Sequence, residues 1–204
     1  MNMTDNKTHL WIYGAGGMGM ETLWLISEIS NYVVDGFIDD FKQCDNFKNL
    51  PLIKNAINKS ICIVAIADTE IRKDITNRNK DIKYVNLIHP SVKINSSIQI
   101  GEGNIICQAV VLTVDISIAK HVIININSTI GHDVVIEDFV SIMFGVHISG
   151  NVRIGEGTFI GSGAVVLPNI KIGKWCKIGA GSVVTKDVPD NSIIAGVPAK
   201  EIGG

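Results

Sequence analysis

His132 and Asp133 stand side by side in Ser128-Thr129-Ile130-Gly131-His132-Asp133. An imidazole titrates near neutral pH and can take a proton from an attacking nucleophile; an adjacent carboxylate can orient the ring and stabilise the imidazolium that forms. From these two residues alone, a surface or interface histidine beside a solvated acid is the plainer reading. The other histidines offer less. His9 opens an apolar run, His89 precedes Pro90, and His121 and His147 lie within a six-residue repeat, at positions six and two of their blocks. No GxSxG turn supplies a serine nucleophile. Cys44, Cys62, Cys107 and Cys176 have no CxxC spacing and read as reduced structural thiols. Neither an HExxH helix nor a Cys/His cluster suggests a metal.

A second constellation lies near the start. Gly14-Ala15-Gly16-Gly17-Met18-Gly19 follows an apolar run, and Asp39-Asp40 comes about twenty residues later. Glycines at the start of a helix let backbone N–H groups approach a phosphate. The acidic pair at a strand end can hydrogen-bond a ribose or base. A ligand-free βα turn and a solvated acidic turn are the plain alternatives. Only about four strands are expected in this region, half a full dinucleotide fold, so a single nucleoside diphosphate fits better than NAD.

Two kinds of element must position these groups. Residues 9–13, 33–38, 61–67 and 83–87 read as strands, and 21–30 and 69–79 as helices; the alternation indicates a small parallel α/β unit. From Val92 to Asp187 the third residue of every six-residue block is Ile, Leu or Val, sixteen times without a break from Ile94 to Val184. The first residue is often small or β-branched, and Gly often follows the aliphatic. A period of six belongs to neither an amphipathic helix nor an alternating strand; it marks a hexapeptide β-helix of just over five turns, with the aliphatic inward and glycines at the corners. His132, two places beyond an inward position, projects from the wall. The change of period sets a boundary near residue 88, giving 1–88 and 89–204.

Composition narrows the partners. A net charge of −2 without a basic stripe argues against nucleic acid. The longest apolar run, Ile61 to Ala67, cannot cross a bilayer, and the polar N-terminal stretch lacks a signal-peptide core. A cytoplasmic protein is expected.

Taken together, Gly14-Ala15-Gly16-Gly17, Ile38-Asp39-Asp40-Phe41-Lys42, Glu70-Ile71-Arg72, Asn86-Leu87-Ile88-His89-Pro90, Gly131-His132-Asp133 and Ala195-Gly196-Val197-Pro198-Ala199-Lys200 resemble the PglD/NeuD-like bacterial sugar acyltransferases over nearly the whole chain. The resemblance implies a small Rossmann-like nucleotide-sugar domain followed by a left-handed parallel β-helix. It implies a homotrimer with active sites between subunits, acetyl-CoA as co-substrate, no metal, and a nucleotide-linked amino sugar as acceptor. The reaction expected is N-acetylation of a UDP- or dTDP-linked 4-amino-4,6-dideoxy sugar for surface glycan biosynthesis. O-acetylation of a sialic acid, a non-catalytic nucleotide-binding scaffold and nicotinamide binding are the competing readings.

Carried onto this sequence, the family's general base falls on His132, with Asp133 where a glutamate is usual. Nucleotide-sugar contacts fall on Gly16, Gly17, Met18, Asp39, Asp40, Ala67 and Asn125. Acyl-CoA contacts fall on Ser141, Gly150, Ser162, Ala180, Pro198 and Lys200, with Ser141 standing where some relatives have histidine.

Overall fold

The computed structural model describes residues 7–56 and 60–203. Residues 1–6, within the stretch read as lacking a signal peptide, lie outside the described residues.

The N-terminal region is a six-stranded sheet in the order β3-β4-β2-β1-β5-β6. Its elements are β1 (Thr8–Tyr13), α1 (Gly17–Ser27), β2 (Tyr32–Ile38), β3 (Asn46–Phe47), β4 (Leu50–Ile53), β5 (Ile61–Val64), α2 (Thr69–Arg78) and β6 (Lys83–Tyr84). All pairings are parallel except β3–β4. Two strands exceed the four expected. The extra pair is a hairpin whose turn residues, Lys48 and Asn49, both have positive φ (52° and 62°). A Lys-Asn turn lacks the glycine that usually announces this geometry. The first helix starts at Gly17 rather than Glu21, because tertiary packing overrides glycine's poor helix propensity. The run 83–87 divides: β6 stays in the α/β sheet, whereas Leu87–Ile88 lies parallel to Ile105–Ile106 on the β-helix.

From there the chain winds as a left-handed parallel β-helix with three flat faces. One face stacks the two-residue strands beginning at Val111, Thr129, His147, Val165 and Val183, each step eighteen residues. The second stacks those at Gln99, Ser117, Val135, Arg153 and Lys171. The third runs from Leu87–Ile88 to Ile193–Gly196 and closes with an antiparallel strand, Ala199–Gly203.

The aliphatic position is buried from Ile106 to Val184, at 7% exposure or less. Ile94, at the open lower end, is 42% exposed, since no coil lies beneath it. The first position of each block is also inward: Val122, Val134, Val140 and Val146 are fully buried, as are the polar Ser128 and Thr158. The corners work differently from the expected glycine corners. The left-handed backbone falls at the sixth position, occupied by Ala109, Asp115, His121, Asn127, Asp133, Phe139, Asn151, Asn169 and Trp175 as well as Gly157 and Gly163. Glycines following the aliphatic serve close approach instead; a Cβ on Gly131 would lie 2.7 Å from the Gly150 nitrogen on the next coil.

The two regions share one apolar core, in which Leu10, Ile12 and Leu25 pack with Ile105, Cys107 and Ile123. Their polar joint is Arg72, completely buried on α2. Its guanidinium donates to the carbonyls of His121 (2.9 Å), Ile66 (2.5 Å), Ala67 (3.2 Å), Phe139 (2.7 Å) and Val140 (3.2 Å) and to Ser141 Oγ (2.9 Å). Beside it the His121 ring stacks on Phe139 at 5.2 Å and meets Tyr84 edge-on at 4.8 Å. The His121 Nδ1 is buried without a partner among the described residues.

Burial, reinforced by the charge of Arg72, pushes the His121 imidazole down to about 4. The folded chain therefore holds it neutral while the unfolded chain takes up a proton below about 6.5. Its contribution to stability is complete above that pH and declines as pH falls towards 4, a loss on the order of 3 kcal/mol. His121→Phe repeats the side chain that Phe139 carries in the same backbone conformation. Denaturant titrations from pH 7 to 4 are expected to show a shallower loss of stability for this variant than for the wild type.

Candidate active site

The α/β crevice is built by its glycines. Gly14 has φ +109°, and a Cβ there would meet Ala65 O and Ile66 Cγ1 at 2.8–2.9 Å, so the turn lies directly on the β5–α2 loop. A Cβ on Gly19 would overlap the Gly14 carbonyl oxygen. Gly16 and Gly17 face open space and are exposed. They begin α1 with no side-chain cap, which leaves backbone N–H groups for an anion. Met18 is half-buried against the apolar core. The crevice lies at the carboxyl ends of β1 and β5, where α1 leads to one side of the sheet and α2 to the other. That reversal is the usual ligand position in open α/β sheets.

The acidic pair is more occupied than its sequence suggests. Asp39 accepts from the N–H groups of Ala15 (2.9 Å), Phe41 (3.1 Å) and Lys42 (3.0 Å). Burial acts against its charge, but these three bonds and Lys42 prevail and hold the carboxyl below its ordinary range. Asp40 accepts from Tyr13 Oη at 2.8 Å and pairs with Arg78 at 3.2 Å. Lys42 Nζ closes the loop onto the Ala15 carbonyl at 2.7 Å. Both acids thus shape the rim as they line it. The Ala67 carbonyl is held by Arg72 and by Ser141 Oγ at 2.7 Å.

His132 and Asp133 lie on the prism edge that follows the Thr129–Ile130 strand, with side chains 63% and 59% exposed. Asp133 occupies the left-handed corner (φ 56°). Aspartate is among the residues that tolerate that conformation best. Its Oδ2 lies 2.8 Å from His132 Nδ1. Gly150 sits one coil above His132 on the same edge, and the Nε2 side of the ring occupies the space a Gly150 side chain would fill. The Gly150 N–H has no acceptor among the described residues, while its carbonyl accepts from Asn169 N–H at 3.1 Å. The result is an outward imidazole with one nitrogen engaged by a carboxylate and the other beside the bare Cα of Gly150.

The remaining residues divide between places. Ser162 and Ala180 are exposed one coil apart on the edge that precedes the His132 face, joined through Gly181 N–H and Ser162 O at 2.8 Å. Pro198 and Lys200 are exposed on the C-terminal hairpin. Asn125 is wholly buried on that same preceding edge; its Oδ1 accepts from Ile126 N–H, and its Nδ2 has no partner among the described residues. It lines a narrow cleft with Glu21, Trp24, His89, Cys107 and Ile126. Ser141 requires correction. It was expected to contact acyl-CoA, yet it is fully buried beneath the α/β region, and its hydroxyl is engaged by Ala67 and Arg72. Arg72 itself was not singled out as a site residue; its signal was an arginine on the buried stripe of α2 with Thr69, Ile75 and Thr76. Burial pushes the Cys107 thiol up to about 12 and raises those of Cys62 and Cys176, so none is a ready nucleophile. Among the described residues no three metal-ligating side chains converge, and no helix is long and apolar enough to cross a membrane.

Residues 9–79 match the PglD N-terminal domain family, and residues 151–186 match the bacterial transferase hexapeptide family. No curated protein matches the chain. Among solved structures, the acetyltransferase domain of PglB from Neisseria gonorrhoeae FA1090 is 31% identical. It superposes with a TM-score of 0.89 over 96% of this chain and 100% of that one. The same domain has been solved in complex with acetyl coenzyme A, at 30% identity, TM-score 0.87 and the same coverage. A mutant of perosamine N-acetyltransferase from Caulobacter crescentus, in complex with CoA and GDP-perosamine, is 26% identical, with a TM-score of 0.88 over 96% of this chain and 97% of that one.

Gly150→Ala tests the assembly of the edge directly. The added methyl has no room beside the ring, so a crystal structure of the variant is expected to show His132 rotated away and its 2.8 Å contact with Asp133 broken, with the coils unchanged.

Proposed function

The chain belongs to the PglD/NeuD-like bacterial sugar acetyltransferases, and on that premise we propose that it acetylates the 4-amino group of a UDP- or dTDP-linked 4-amino-4,6-dideoxy sugar for surface glycan assembly. It is an acetyl-CoA-dependent sugar N-acetyltransferase. Residues 1–88 hold the nucleotide, through Gly16, Gly17 and Met18 at the phosphates and the Asp39–Asp40 rim. Residues 89–204 supply acetyl-CoA contacts at Gly150, Ser162, Ala180, Pro198 and Lys200. Asn125, which the family resemblance assigns to the sugar, is wholly buried in the single chain, so a sugar contact there requires the narrow cleft it lines to open.

The observation that carries this reading is the His132–Asp133–Gly150 edge. Asp133 engages Nδ1 and so favours the tautomer with a basic Nε2. His132 Nε2 accepts the proton as the neutral sugar amine attacks the thioester carbonyl, forming the C–N bond. The Gly150 N–H donates to the developing oxyanion. The tetrahedral intermediate then expels the CoA thiolate as the C–S bond breaks, and His132 returns the proton to that sulfur. No covalent enzyme intermediate is required.

A homotrimer completes the site. Val111, Val114, Phe144 and Leu167 are 38–53% exposed on the His132 face and its two edges, apolar surface that a neighbouring prism would cover. Light scattering is expected to give three times the chain mass. With its thiols free, the protein suits the cytoplasm.

Thiol release from acetyl-CoA, assayed against UDP-, dTDP- and GDP-linked 4-amino sugars, tests the reaction. Turnover is expected with a UDP or dTDP member. Release with a free sialic acid alone identifies an O-acetyltransferase, and silence with every acceptor leaves a binding scaffold. His132→Ala is expected to keep its melting temperature and lose turnover by at least ~100-fold. Near-native turnover in that variant, with loss in His147→Ala, would move the base to His147.

A further inference from the structure

The crevice and the histidine belong to different regions of the chain, and two buried side chains tie them together. Ser141 and His132 lie within one eighteen-residue turn of the prism, since Thr129–Ile130, Val135–Ile136 and Ser141–Ile142 are the three strands of that turn. Outward from the third face the same stack reads Ile105, Ile123, Ser141, Phe159 and Lys177. Ile105 and Ile123 pack in the shared core, but at Ser141 the covering surface changes to the β5–α2 loop and the outward residue becomes a hydroxyl. Ser141 Oγ donates to the Ala67 carbonyl at 2.7 Å and accepts from Arg72 at 2.9 Å. Arg72 holds Ile66 and Ala67 on one side and Phe139 and Val140, the two residues preceding Ser141, on the other. The loop so fixed packs on Gly14 and forms one wall of the crevice.

We propose that Ser141 and Arg72 are positioning residues that register the nucleotide crevice to the level of the prism turn carrying His132. The proposal rests on the acceptor being a nucleotide-linked sugar held in that crevice. Parallel prisms related by a three-fold axis keep equivalent turns at one height, so the alignment serves a base from the same subunit or from its neighbour. The nucleotide itself binds to groups of the α/β region alone. Loosening the joint leaves Gly16, Gly17, Asp39 and Asp40 in place, since none of them is bonded to Ser141 or Arg72, so nucleotide affinity changes little while the sugar amine is misplaced relative to Nε2, where a displacement of about 1 Å costs roughly a hundredfold in rate.

Ser141→Ala removes the hydroxyl while keeping Arg72, and Ser141→Thr restores it. For Ser141→Ala, kcat is expected to fall at least tenfold. KM for acetyl-CoA and calorimetric affinity for the nucleoside diphosphate should stay within about twofold, and Ser141→Thr should recover most of the loss. Faster amide hydrogen exchange confined to residues 65–72 should accompany the fall in kcat, a readout that remains even if the wild-type enzyme turns over none of the sugars offered. Unchanged exchange in this segment overturns the proposal. So does weakened nucleotide binding at unchanged kcat, which would make Ser141 a part of the pocket wall only. Loss of kcat in Ser141→Thr equal to that in Ser141→Ala would likewise refute it, by showing that volume rather than the hydroxyl matters.

Discussion

A guanidinium with no carboxylate against it sits at the centre of this molecule. Burial draws Arg72 down to about 9, with Asp68 acting the other way, and the group remains charged at neutral pH. Removing such a cation from water is expensive, and here five carbonyls and one hydroxyl replace the water. Those acceptors come from the β5–α2 loop and from two successive prism coils, so the charge is satisfied only when α2 is docked. The apolar contacts of Leu10, Leu25, Ile105 and Ile123 draw the two regions together without specifying an angle or a height. The Arg72 bonds specify both.

The aromatic column beside Arg72 follows from the same demand. At one edge of the prism the left-handed position is filled in turn by Gly103, His121, Phe139, Gly157 and Trp175. His121 folds over Gly103 and Trp175 over Gly157, each ring occupying space that a side chain would otherwise take. Lys73 pairs with Glu156 at 2.7 Å and lies over the Trp175 ring at 4.7 Å, carrying the α2 contact one and then two coils further. An edge that elsewhere faces solvent with Asn and Asp is here a docking strip.

Much of this was legible in the residues. The period of six fixes which side chains point inward, and His132 could be located on the wall by counting alone. The glycine turn also divides as chemistry suggests, with Gly14 and Gly19 enforced by contact and Gly16 and Gly17 left open. Periodicity was silent wherever one region meets the other. Ser141 is outward by register, and outward ordinarily means accessible; only the covering loop makes it buried. Arg72 looks like one more charge on a charged helix until its spacing with Thr69 and Ile75 is set against the prism. The β3–β4 hairpin escaped because its turn is built from Lys48 and Asn49. That the Asp39 carboxylate also accepts from three backbone N–H groups, and so builds the rim, was not legible in its sequence neighbours.

A stack of parallel strands has no natural last member, because each coil presents the same unpaired amides and carbonyls to whatever comes next. The long third face ends differently: Ile193–Gly196 turns back through Val197 and Pro198, and Ala199–Gly203 runs antiparallel along it. A strand laid in the opposite sense is not a template for another coil of the same winding. The segment that places Pro198 and Lys200 near one end of the prism thus also guards that face against end-to-end growth, which would otherwise convert separate prisms into a fibre.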